Sequence, residues 1–236
     1  MQEKIDDPLK PLDQVTEPDI RSKWLQIYDP MDGIRQKTLE DHHGEVASVT
    51  LNESAPVGVR QLFENAKNLV LYSWFVYRFH QPAELSAYGA LEMALRAKAK
   101  SDSPKWRGKA GKNKQPSLKT LLVEANNFGW LKNQEFSVWR RHQQRRAYEK
   151  AMQKLIERMQ QDGLTEAETP SVEEFEGKIG DENYDYVRLL SRSVPSTRNR
   201  LAYGSQSLHP NSLATLKLCA EIRRVPTFIS RHSVTA

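Results

Sequence analysis

The run Arg198-Asn199-Arg200-Leu201-Ala202-Tyr203-Gly204 holds residue types and spacings suited to chemistry on a phosphodiester. On a helix, Asn199 and Tyr203 stand four apart and share one face. Arg198 lies about 140° away on the helical wheel. It reaches the same cleft through its long side chain, or where the helix frays at Gly204. Arginine keeps its charge at any useful pH and grips phosphate with a planar fork. Asparagine can hold a hydroxyl or a phosphate oxygen. Tyrosine, with an ordinary pKa near 10, is a poor base at neutral pH but can donate a hydrogen bond or stack on a nucleobase. His209, six residues beyond Tyr203, is a histidine that can fold back over such a site. The plain alternative is that Arg198 and Asn199 brace a short helix while Tyr203 packs its ring in the core.

A second group of residues suits a polyanion rather than a reaction. Lys105, Arg107, Lys109, Lys112 and Lys114 crowd one loop, and Arg140, Arg141, Arg145 and Arg146 crowd one helix. Residues 101–150 carry twelve basic side chains against four acids, a net charge of +8. Residues 163–186 carry eight acids and one lysine, a net charge of −7. Trp106 and Trp139 add stacking surface, which together with charge suits single-stranded RNA. The competing view is that both stretches are solvated surface, the acidic one shielding the basic one, with Trp139 packed inward. Weaker candidates follow. His42-His43 beside Glu40 and Asp41 places neighbours on different faces, so no metal site is expected. Glu92 and Arg96 stand at i and i+4 and make a salt bridge. Cys219 is expected as a buried small hydrophobe. No P-loop, dinucleotide-binding turn or nucleophile elbow is present, and no cofactor is expected.

The elements that must position these residues are helices. Asp19–Tyr28 and Met31–Asp41 are weak helical candidates around the turn Asp29-Pro30, and 45–51 has loose strand-like alternation. From Pro56 onward Val59, Leu62, Phe63, Ala66, Leu69, Val70, Trp74 and Tyr77 recur at steps of three and four, predicting a helix over about 57–80. Pro82 starts another, and the pair forms an antiparallel hairpin. Ser117 opens a helix ending near Gly129, and 135–161 is the longest helical candidate, closed by Gly163. Tyr184–Arg192, Pro195–Tyr203 and a segment opened by Pro210 complete the list. The fold expected is all-α: an up-and-down bundle of about five or six helices over 57–228. It carries a basic loop (101–116) and an acidic loop (163–183). A weakly structured extension (1–56) precedes the bundle and a tail (229–236) follows it.

The chain has 236 residues, 38% of them hydrophobic, one cysteine and a net charge of +5. That composition supports a real core and excludes wholesale disorder, an internal disulfide and a cysteine-built zinc cage. No run approaches the roughly 18 apolar residues of a membrane span, and the N-terminus lacks the apolar stretch of a secretory signal. A cytoplasmic location is expected.

The motif 198–204 resembles the Arg-Asn-x-x-Ala-His-Gly form found in the HEPN superfamily. Leu71–Phe79, Ala90–Arg96, the run Ser-Leu-His-Pro at 207–210 and Leu218–Ile222 add to the likeness, which spans about residues 57–225. The resemblance implies a HEPN-like helical bundle, often dimeric, of the kind seen in bacterial toxins and defence effectors. Active members are metal-independent endoribonucleases. In them an arginine and a histidine assist attack of a ribose 2′-hydroxyl on the adjacent phosphate, in a cleft between two subunits. On that template Arg198 stabilises phosphate, Asn199 is its polar neighbour, and Tyr203 stands where histidine is expected; Glu92, on a helix that borders the cleft in such bundles, is then placed to orient Arg198. The expectation is a degenerate, RNA-binding member that forms a homodimer. The alternatives are an active endoribonuclease using Tyr203 or His209, and a helical module that docks an acidic protein partner.

Overall fold

A computed structural model of the chain describes residues 7–30, 33–102, 116–204 and 210–223. Its elements are the strands β1 (Gln26–Asp29) and β2 (Gly33–Gln36) and seven helices: α1 (Leu39–Ala47), α2 (Val57–Tyr72), α3 (His80–Asp102), α4 (Leu118–Asn127), α5 (Ser137–Asp162), α6 (Tyr186–Ala202) and α7 (Ser212–Arg223). The architecture is mostly helical, as expected. Its described residues fall into two compact units, one comprising 1–121 with 193–236 and the other 122–192.

In the first unit the core forms because α2 is amphipathic with the helical period. Val59, Phe63, Ala66 and Val70, spaced by four, three and four, are all fully buried. Helix α3 answers with small residues: Ala83, Ala87 and Ala90 leave no side-chain bulk at the seam and are themselves fully buried. A β-carbon at Gly58 would meet Met93 Sδ at 3.7 Å, and one at Gly89 would meet Leu62 Cδ2 at 3.6 Å. Numbers rise on α2 as they fall on α3, so the two helices are antiparallel. Helix α7 pairs with α3 in the other sense. Ser212 reaches His80, and Thr215 reaches Glu84, so the two helices run parallel. Leu216 and Cys219 fill the contact, both fully buried, and Cys219 is the small hydrophobe expected.

The N-terminal region departs from expectation. Strands β1 and β2 fall largely within the two expected helices, Asp19–Tyr28 and Met31–Asp41, and pair antiparallel, with Tyr28 facing Ile34 and Asp29 facing Gly33. Gly33, the first residue of β2 and the partner of Asp29, takes a positive φ of 75°, which a residue with a β-carbon adopts at a cost. The loose alternation over 45–51 does not make a strand. Thr38 and Asp41 form a reciprocal capping box that opens α1, and the helix runs to Ala47. Helix α2 also ends earlier than its apolar pattern suggests, at Tyr72. A short 3-10 turn at Tyr77–Phe79 then leads into α3.

In the second unit, α5 ends at Gly163 in the left-handed conformation, as expected. Segment 163–183 lies back against α5. The Gln143 side chain, only 2% exposed, accepts from the Gly180 and Asp181 amides at 2.9 and 2.7 Å and donates to the Asp181 carbonyl at 2.8 Å. A β-carbon on Gly180 would lie 2.1 Å from the Ala147 amide nitrogen, so only glycine lets the segment press onto the helix backbone. Helix α6 is one helix where two are expected. Pro195 lies inside it rather than opening it. Val187, Leu190 and Val194 form a buried stripe that leads up to Pro195, itself buried, and that burial outweighs the single backbone hydrogen bond proline removes. Among the described residues no helix is long and apolar enough to cross a membrane.

Candidate functional site

Helix α6 carries Arg198 and Asn199 in its last turns, and the Tyr203 amide still donates to the Asn199 carbonyl at 3.0 Å. Gly204 follows with φ 86° and terminates the helical geometry. The half-buried Arg198 side chain points to α3, where Nη2 lies 3.5 Å from Glu92 Oε2. At that separation the contact is an ion pair and not a tight hydrogen bond. Arg198 Nη1 also donates to Asn199 Oδ1 at 3.3 Å. The same carboxylate holds Arg96 tightly, with Nη2 2.5 Å from Oε1, one helical turn along α3. Glu92 is therefore a buried carboxylate between two guanidinium groups, which makes the cluster positive by one charge. Arg96 Nε is buried without a hydrogen-bond partner. Two guanidinium forks held side by side, with part of each still accessible, suit an anionic oxygen ligand such as phosphate.

Tyr203 lies outside that cluster. It is 88% exposed, so its ring is not packed in the core, the alternative its sequence position left open. His209 lies outside the described residues, as do Lys105, Arg107, Lys109, Lys112 and Lys114. Arg140, Arg141, Arg145 and Arg146 belong to the second unit, on α5, and all four are exposed. Arg145 and Arg146 share Glu149, each at 2.7 Å, and their guanidinium groups hold its carboxyl below the usual range. Arg140 donates to the Gln134 carbonyl at 2.8 Å. Trp139 turns inward and donates its indole N–H to the Tyr184 carbonyl at 3.1 Å, so its face is not the free stacking platform that its basic surroundings suggest. The acidic segment packs along this same helix, with Asp181 Oδ2 3.4 Å from His142 Nε2.

A buried polar group on α3 escapes sequence inspection. Glu84, 5% exposed, accepts from the Thr215 hydroxyl of α7 at 3.2 Å. Burial pushes the Glu84 carboxyl upward, partly offset by that hydroxyl and by the charge of Arg200. The same burial pushes Tyr88, which also bonds Thr215, up to about 12. A carboxylate one turn before a tyrosine on the apolar stripe of α3 is the one signal the sequence carries for this network. His42 lies in α1 and is core: its Nε2 donates to the Val70 carbonyl at 2.8 Å and its ring stacks on Trp74. Among the described residues no group of three or more metal-ligating side chains comes together. No family model, no curated protein and no solved structure matches this chain.

Proposed function

We propose that this chain is a HEPN-like RNA-binding protein of bacterial stress or defence systems that grips an RNA phosphate and does not cleave it. The observation that carries the reading is the Glu92 carboxylate, buried between Arg96 and Arg198 and next to Asn199. A carboxylate fixed at that depth orients the two forks toward one place and leaves one net positive charge for the ligand. The absence of cleavage follows from acid–base chemistry: transfer of a ribose 2′-hydroxyl proton needs a titratable group within hydrogen-bond reach. Tyr203, at the motif position where a histidine is expected, is turned to solvent. Dimerisation that sets two Arg198–Asn199 motifs across one cleft belongs to the same proposal.

The test is incubation of the purified chain with a mixed single-stranded and structured RNA pool in EDTA, beside Arg198→Ala and Tyr203→His. The reading predicts that the wild type retains RNA intact while binding it. It also predicts weakened binding in Arg198→Ala and no cleavage in Tyr203→His, since the residue at that position is turned to solvent, away from the arginine cluster. Cleavage by the wild type that disappears in Arg198→Ala would make the chain an active ribonuclease instead. A second reading, a protein-interaction module, draws on the β1–β2 pair, whose facing Tyr28 and Ile34 are 75% and 73% exposed. Binding that shows no salt dependence would favour it.

A further inference from the structure

The first unit also holds a partly open pocket of about 260 Å³, bounded by the 3-10 turn at Ser22–Trp24, the end of α2, the turn before α3 and the first turn of α7. Along α3, His80 at this cavity stands twelve residues from Glu92, about 18 Å of helix. The cavity is therefore separate from the arginine cluster.

Its cations are already matched. Arg21 forms a two-pronged pair with Asp19 at 2.8 and 2.9 Å and also bonds Asp7, which in turn holds Arg78 at 2.7 Å. Lys37 pairs with Glu45 at 2.5 Å. Burial lowers the pKa of both lining histidines, His80 to about 4, so both rings are neutral at pH 7. Little positive charge is left over to hold a phosphate or a carboxylate. The walls are flat and aromatic instead. Trp74 stacks with His42 at 5.5 Å, and Tyr77 carries the Arg21 guanidinium over one face at 4.2 Å with His80 edge-on at 4.9 Å.

Two ring nitrogens supply the polar handles. The Val70 carbonyl can only accept, so His42 Nε2 carries the hydrogen of that bond and Nδ1 is left as an acceptor. His80 Nδ1 is paired with the buried Ser212 hydroxyl at 2.6 Å, which directs its Nε2 to any further partner. A site with matched charges, planar walls and a few placed ring nitrogens recognises a flat, uncharged molecule with N–H and ring-nitrogen groups. The volume lies just under the lower end of ordinary ligand pockets, roughly 300 Å³, which suits a mono- or bicyclic ring system.

We propose that this cavity binds a neutral planar nitrogen heterocycle of nucleobase size, stacked against Trp74 or Tyr77 and hydrogen-bonded to His42 and His80. The proposal stands independently of the RNA reading.

The test uses the full chain at pH 7.5 with adenine, cytosine, nicotinamide, adenosine and adenosine monophosphate as probes, titrated by calorimetry and ligand-observed NMR. At least one neutral heterocycle is expected to bind saturably with a Kd below 1 mM. Leu213→Trp and Leu25→Trp, both at the lining, fill the space and are expected to weaken that binding at least tenfold. Circular dichroism identifies which variants fold, and one folded variant suffices. Three results would each overturn the proposal: no saturable binding of a neutral probe, binding unchanged in a folded filling variant, or adenosine monophosphate binding more tightly than adenosine.

Discussion

Replacing Gln143 by leucine removes the side chain that ties the acidic segment to the basic helix. The substitution preserves size and apolar stem, so the loss is one of hydrogen bonds and not of volume. Two backbone amides and one carbonyl, at Gly180 and Asp181, lose their partners. Each polar group left buried and unpaired costs about 1–3 kcal/mol. The Gly180 amide is fully buried and bears that cost, whereas the groups of half-buried Asp181 regain water. The expected loss is therefore about 1–3 kcal/mol. Hydrogen exchange followed by NMR reads it locally, and a urea titration reads it globally. The Gly180 and Asp181 amides should exchange much faster in Gln143→Leu, ahead of the amides inside α5, and the urea midpoint should fall. Gln143→Glu keeps the accepting oxygen but loses the donor and sets a carboxylate beside Asp181. Its deficit should narrow as the pH falls through about 4, where the new carboxyl regains a proton. Unchanged exchange at residues 180 and 181 in Gln143→Leu would refute the argument that this amide docks the segment.

Two further outcomes follow from packing and burial. Gly180→Ala forces a β-carbon into a space 2.1 Å from the Ala147 backbone, and it should lower stability by about 1–3 kcal/mol through overpacking, measured as a lowered urea midpoint. Acidification should destabilise the first unit. Burial holds His80 near pKa 4, below its ordinary 6.5, and lowers His42 in the same sense. The unfolded chain then binds more protons in that interval, so this stability is complete above pH 6.5 and is lost as the pH falls toward 4. The His80 gap sets a ceiling of about 3 kcal/mol, and its partial exposure reduces that to about 1–2 kcal/mol. Glu84, pushed upward by burial, acts in the opposite sense in wild type and variant alike. Thermal melts between pH 7 and 4.5 should show a shallower loss in His80→Gln, and an identical slope in the two proteins would contradict the assignment.

The helical architecture was legible because its signals are periodic and local. The steps from Val59 to Val70 mark the buried face of α2, and Gly163 marks the end of α5. The pairing of 26–29 with 33–36 was not legible: four-residue strands give too little alternation to count, and the second begins on a glycine with positive φ. The continuity of α6 through Pro195 was hidden for a different reason. Local propensity argues for a break there, and it is overridden by burial of the stripe Val187–Leu190–Val194 and of Pro195 itself, a tertiary effect. Of the arginine cluster, Glu92–Arg96 followed from i, i+4 spacing, whereas the approach of Arg198, which joins residues 106 apart in sequence, was offered only by the family resemblance. The Gln143 anchor looked like one polar residue in a basic helix, since its partners are backbone groups that carry no side-chain signal. The cavity gathers Arg21, His42, Trp74, His80 and Leu213 from separate segments, so no local pattern pointed to it.

The most direct test of the central claim is the affinity of the wild type and Arg198→Ala for a labelled single-stranded RNA across 50–300 mM salt. Each phosphate released from a cationic contact flattens the plot of log affinity against log salt by about 0.7 for single strands. If the Glu92-anchored cluster grips a phosphate, Arg198→Ala binds more weakly and its slope is shallower by about 0.7. Equal affinity and equal slope in the two proteins, or no salt-dependent binding by the wild type, would contradict the claim that this cluster is a phosphate site.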